Sequence, residues 1–149
     1  MNSSSVTDTW EAVCSLCLER LKATGYKIEC LTQDEAEVVM LWRLEADGYN
    51  GGFIQFFCNW GEKNCATAMN ALRRIGATST LNVVQKQRNM VERFGEHPEM
   101  TEYWDIPKLM TDDEAKIIGE QLDPEFWKVA EEIPNLAVPI YEHIISRRA

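Results

Sequence analysis

Apolar residues recur at three- and four-residue intervals along most of this chain, the spacing that lines one face of a helix. Trp10, Val13, Leu18 and Leu21 form the first such stripe. Thr7 or Asp8 is placed to cap it, and the helix is predicted to run to about Thr24 and stop at Gly25. Tyr26 to Leu31 is too short to assign: a linker or an isolated extended segment both fit. Thr32-Gln33-Asp34-Glu35 is a capping box, opening a helix through Ala36, Val39, Met40 and Leu44 to about Asp47, with Gly48 ending it. Ala68, Met69, Leu72 and Ile75 predict a helix over 64–75, closed by Gly76. Thr78 or Thr80 caps the next, through Leu81, Val84, Val91 and Phe94 to Gly95. Glu96 to Met110, with Pro98 and Pro107, reads as a loop or short turns. Thr111-Asp112-Asp113-Glu114 repeats the capping box before Ile117, Ile118 and Leu122. Asp123-Pro124 introduces a short helix bearing Phe126 and Trp127. Pro134 or Asn135 begins the last, through Ile140, Tyr141, Ile144 and Ile145, with Pro139 in its first turns or marking a kink. Arg147 and Arg148 at its end suit the helix dipole.

No stretch alternates with period two between hairpin turns, and no solenoid-length repeat occurs. The predicted fold is therefore all-α, with helices packed on helices in one compact domain of about seven helices over residues 1–149, and residues 1–6 as a flexible N-terminus. At 149 residues the chain is long enough for one self-sufficient core.

Two of these helices are joined by Asn50-Gly51-Gly52-Phe53-Ile54-Gln55-Phe56-Phe57-Cys58-Asn59. Adjacent glycines permit positive φ or a close backbone approach. Phe53, Phe56 and Phe57 then stand at i, i+3 and i+4, which would press three rings into one core. The stretch reads as a tight interhelical corner with an aromatic plug. Asn50, Gln55 and Asn59 could instead form a polar site, but amides do not exchange protons near neutral pH and could only orient a ligand. Hydrogen bonding to backbone at the corner is their simpler use.

The corner, together with Ala71-Leu72 and Ile75-Gly76-Ala77, resembles the signature of the bacterial family named after DNA mimic protein nineteen. Leu122-Asp123, Glu125-Phe126-Trp127, Leu136 and Tyr141 resemble its closing segment, so the likeness spans about residues 32–145. It implies a homodimer that occupies the DNA-binding surface of a transcription factor. The acidic positions are not part of the matched signature, so no contact residue carries over from it.

Charge makes that implication concrete. The chain carries a net −9, and residues 1–90 contribute only −1, from nine Lys/Arg against ten Asp/Glu. Residues 91–149 contribute −8, from six against fourteen. Glu92, Glu96, Glu99, Glu102, Asp105, Asp112, Asp113, Glu114, Glu120, Asp123, Glu125, Glu131 and Glu132 arrive with few cations among them. Carboxylates three or four residues apart on a helix are about 5–6 Å apart at Cβ, a scale comparable with the ~3.4 Å rise per phosphate of a DNA strand once side-chain reach is allowed. This run is the candidate partner-binding surface. The same sign opposes direct nucleic-acid binding by this chain. Taken alone, the acidity equally describes a solvated face that maintains solubility, and Asp112, Asp113 and Glu114 are accounted for as first-turn residues. The alternative is an interaction module, immunity-type or scaffold, with an apolar contact through Trp60, Trp104 or Trp127.

Enzyme chemistry has little to stand on. His97 and His143, the two histidines, lie in no recognisable nucleophile context, and Asn50-Gly51-Gly52 lacks the spacing and lysine of a phosphate loop. No cofactor is expected. Cys14 and Cys17 form a C-x-x-C, but both fall inside an amphipathic helix with no second pair, so they read as core residues rather than metal ligands. No apolar run reaches the ~18 to 20 residues of a membrane span, and no secretion signal opens the chain, so the expected setting is the cytoplasm.

Overall fold

The computed structural model describes residues 3–146. Arg147 and Arg148, assigned above to a helix dipole, lie outside them. Among the described residues there is no strand. Joining segments that run directly into one another leaves seven helices, as the periodicity predicts.

Helix α1 spans Ser3–Ala23, beginning before the proposed Thr7 or Asp8 cap. A short 3-10 turn at Ile28–Cys30 fills the segment left unassigned. Helix α2, Gln33–Asn50, opens on the predicted capping box: the Glu35 amide donates to Thr32 Oγ1 at 3.2 Å and the Thr32 amide to Glu35 Oε1 at 2.9 Å. It runs past Gly48 rather than stopping there. Gly48 serves packing instead, since a Cβ at that position would lie 2.5 Å from the Phe126 ring.

Helix α3, Phe53–Ile75, is one element where the sequence suggested a corner followed by a separate helix. A residue with φ +82, Gly61, breaks its regularity, and the Tyr103 ring sits where a side chain there would go. Helix α4, Thr78–Val91, passes into a 3-10 turn over Glu92–Glu96. Neither Thr78 nor Thr80 acts as its cap. Its Thr80 amide is instead satisfied from a distance, donating to Glu132 Oε1 at 3.2 Å.

The predicted loop holds a 3-10 turn at Tyr103–Asp105 and one helical turn, α5, at Ile106–Leu109. Then comes α6, Asp112–Lys116, capped by Thr111 and Glu114 as predicted. It runs through a π-helical stretch, Ile117–Leu122, into α7, Asp123–Val129. A 3-10 turn, Ala130–Glu132, leads into α8, Ile133–Tyr141, and α9 covers His143–Ser146. Pro139 lies inside α8, two residues before its end.

The core follows from these stripes. Helices α2 and α3 pack most extensively, with α1 against α8 and α2, and α4 against α3 and α7. Phe56, Phe94, Tyr141, Met40, Leu41 and Leu72 are fully buried between them. Cys14 and Cys17 are buried in the α1 face, and burial pushes the Cys17 thiol up to about 12, so both behave as small core residues. No group of three or more potential metal ligands occurs among the described residues. No described helix is long and apolar enough to cross a membrane.

Candidate functional site

At the corner, Gly51 ends α2 and Gly52 begins α3 with φ +89 and ψ −176, a conformation open essentially to glycine alone. Phe53, Phe56 and Phe57 are buried as the spacing requires, with the Phe53 and Phe57 centroids 5.6 Å apart. The group that caps this helix comes from seventy residues away. Asp123 Oδ1 accepts from the Phe53 amide at 3.0 Å and from Gln87 Nε2 at 2.7 Å. A Cβ on Gly52 would lie 2.1 Å from Asp123 Oδ2, so the glycine is what lets the carboxylate close in. The two motifs singled out separately, Gly-Gly-Phe and Leu-Asp-Pro-Glu-Phe-Trp, are thus halves of one joint.

Asp123 is therefore buried, 7 % exposed, and is not part of a partner surface. Burial raises its carboxyl above the ordinary value, against the Phe53 and Gln87 hydrogen bonds.

The polar residues of the corner converge on Asp47, which no sequence motif marks. Asp47 Oδ1 accepts from Gln55 Nε2 at 2.9 Å, and its Oδ2 accepts from Trp60 Nε1 at 2.8 Å and Asn59 Nδ2 at 3.3 Å. Asn50 Nδ2 donates to Gln55 Oε1 at 3.3 Å. Asn50 and Asn59 are exposed, so these amides tie side chains together at the surface rather than satisfying buried backbone. Asn59 also accepts from the Trp104 indole at 3.1 Å, while Trp127 donates to the Gly48 carbonyl at 2.8 Å. Trp104 and Trp127 are 45 % and 42 % exposed; Trp60 is partly buried under the Arg43 guanidinium.

A second network lies at the start of α2. Glu37, 2 % exposed, accepts from Tyr141 Oη at 2.6 Å and from Arg74 at 2.8 Å, and Arg74 also pairs with Asp34. His143 Nε2 lies 2.7 Å from Asp34 Oδ2. The histidine is half-exposed and bound into structure.

The acidic run divides once its partners are known. Four of its members, Asp105, Glu114, Asp123 and Glu132, are committed inside the fold. Asp105 accepts from the Thr101 and Glu102 amides, which with the Thr101 hydroxyl hold its carboxyl down to about 2. Glu114 pairs with Arg93 at 2.6 Å and caps α6, and Glu132 accepts from Thr80. Glu92 is exposed beside Arg88 at 3.4 Å. Glu96, Glu99, Glu102, Asp112, Asp113, Glu120, Glu125 and Glu131 are exposed and form no ion pair among the described residues. The Arg93–Glu114 pair draws the end of α4 to the start of α6, so Glu92, Glu96, Asp112 and Asp113 flank one neighbourhood. Glu120, Glu125 and Glu131 continue along the helical run towards Tyr49, whose phenol is raised by burial, then by Glu45 and Glu131.

Residues 29–144 match the family model described as DMP19-like protein. No curated protein and no solved structure matches the chain.

Proposed function

Because the chain belongs to the DMP19-like family, we propose that it is an acidic DNA mimic that binds a DNA-binding protein, such as a transcription factor, and blocks that protein's access to DNA. The observation that carries this reading is the set of exposed, unneutralised carboxylates spread from Glu96 to Glu131. From Asp112 to Glu131 the backbone is helical without interruption. At ~1.5 Å per residue that contour is about 28 Å, comparable with about eight phosphates of one strand at ~3.4 Å each. A protein whose basic groove is built for such spacing would find charge of the expected sign along a similar length. The partner, on this reading, meets a homodimer, and the chain itself does not touch nucleic acid or carry out catalysis.

The test uses purified DNA-binding proteins from the same cell, presented to the immobilised chain. A true partner is retained at about 50 mM salt, is released towards about 300 mM as screening grows, and is displaced by duplex DNA carrying its own site. The triple variant Glu120→Gln, Glu125→Gln, Glu131→Gln retains less of it. Retention indifferent to salt, to DNA and to the variant removes the proposal. The exposed rings of Trp104 and Trp127 favour one other reading, an apolar interaction surface. In that case Trp104→Ala abolishes capture while the triple variant leaves it intact. Light scattering of the free chain tests the dimer.

A further inference from the structure

A groove of about 520 Å³ opens between α1, α2 and the start of α8, at the end of the acidic run where Glu131 approaches Tyr49. Trp42, Glu45 and Tyr49 enter it from α2 at i, i+3 and i+7, so one face of that helix supplies two aromatic rings with a carboxylate between them. Trp10 and Glu11 enter from α1, and Pro134 from α8. Trp42 and Tyr49 are 40 % and 44 % exposed, large aromatic surfaces that the fold leaves uncovered. Glu45 lies deeper. Among the described residues it forms no ion pair, and its hydrogen bond is the one from the Trp10 indole at 2.8 Å.

Glu45 is half-buried, and a carboxylate partly withdrawn from water gains from a counter-charge beside it. Here the walls are aromatic, the second acid of the groove is Glu11, and the nearest arginine of α2, Arg43, is stacked on Trp60. The missing member is a cation. Aromatic rings add attraction for an organic cation that a hydrated metal ion does not exploit. The volume is that of a small-molecule site.

The geometry points to a binding site for a small organic cation, an ammonium or guanidinium head on a short apolar stem, with Glu45 as its counter-charge and Trp42 and Tyr49 as its aromatic walls. Burial pushes the Glu45 carboxyl up to about 7, so a cation seated beside it would draw the group back towards its charged form. Trp10 and Glu11 precede the stretch matched to the family, which begins at residue 29. The inference does not depend on the DNA-mimic reading, since Glu45 is not in the acidic run; either can fail alone.

The experiment is a titration of the full chain with n-butylammonium and n-butylguanidinium, with n-butanol and butyrate as controls, followed through the indole N–H resonances. The cations shift the Trp10 and Trp42 signals saturably and leave that of Trp104 unmoved, and the two controls do not saturate. Glu45→Gln preserves shape and weakens binding about tenfold or more, the loss of one charge-assisted contact. Trp42→Ala, at an exposed position, weakens it about threefold to tenfold. Thermal melts confirm that both variants are folded. The site is disproved if neither cation saturates the shifts, if n-butanol acts equally, or if folded Glu45→Gln binds as wild type does.

Discussion

Asp123 and Glu125 stand two residues apart in α7, yet one is 7 % exposed and the other lies in solvent. Asp123 turns inward to the start of α3, where it supplies the acceptor that a helix N-terminus lacks. Glu125 faces out with Glu120 and Glu131 and has no ion-pair partner among the described residues. The same contrast runs through the whole latter part of the chain: Asp105, Glu114 and Glu132 hold turns and caps, while Glu96 and Glu99 form no ion pair among the described residues. Net charge by segment therefore overstates what is available to a partner. A carboxylate committed to amide donors is structural, and only those left over can imitate phosphate.

The sharpest way to break this division is at Gly52. Its φ of +89 with ψ near 180 is strained for alanine, and the new Cβ would meet Asp123 Oδ2 at 2.1 Å. Gly52→Ala is expected to cost about 4 kcal/mol, combining backbone strain with loss of the Asp123 cap. Urea unfolding measures it. A cost below about 1 kcal/mol would mean that the joint relaxes and that Asp123 is not held there by close approach.

Next in size, Asp123→Ala leaves the Phe53 amide and Gln87 Nε2 without their acceptor and is expected to cost about 3 kcal/mol. Glu125→Ala, two residues on, should change stability by less than about 0.5 kcal/mol. Equal losses from the two would erase the distinction between inner and outer acids.

Glu45 tests the division by pH. The folded chain keeps its proton up to about 7, whereas the unfolded chain releases it at the ordinary glutamate value. The folded state thus binds more protons between the two values, and stability falls as pH rises through that window. Burial raises Asp123 too, and it adds to the fall in the same direction. Glu45→Gln, neutral in both states, should flatten the curve and be more stable than wild type at pH 8 by about 2 kcal/mol, allowing for partial solvent access. Thermal melts from pH 4 to 8 show the slope, and an unchanged slope in the variant would place Glu45 in water.

Local signals were the legible ones. Both Thr-x-x-Glu capping boxes form, and the three phenylalanines of the corner are buried, because these depend on neighbours within a turn or two. What sequence could not give is the partner from afar. Thr80 resembles a local cap but is itself capped by Glu132, and Gly48 resembles a helix stop but makes room for Phe126. Asp47 carries no local signal, because its three donors follow it only after the chain has turned. The acidic half was visible as composition, yet the commitment of Glu114, Asp123 and Glu132 rests on contacts across 21 to 70 residues, and only Asp105 is held by near neighbours.

The smallest expected effect on stability is also the one that bears most on function. Glu120, Glu125 and Glu131 are exposed and make no hydrogen bond or ion pair with the described residues through their carboxylates. Replacing all three by glutamine keeps their shape and helix propensity and removes three negative charges. The melting curve should move by less than about 0.5 kcal/mol equivalent, and relief of like-charge repulsion along the run makes a small gain more natural than a loss. If the outer acids are a decoy for phosphate, this nearly silent change must nonetheless weaken a salt-sensitive, DNA-displaceable partner, because electrostatic complementarity is then what brings the two together. A variant that is both as stable and as well retained as wild type would mean that these carboxylates serve solubility alone.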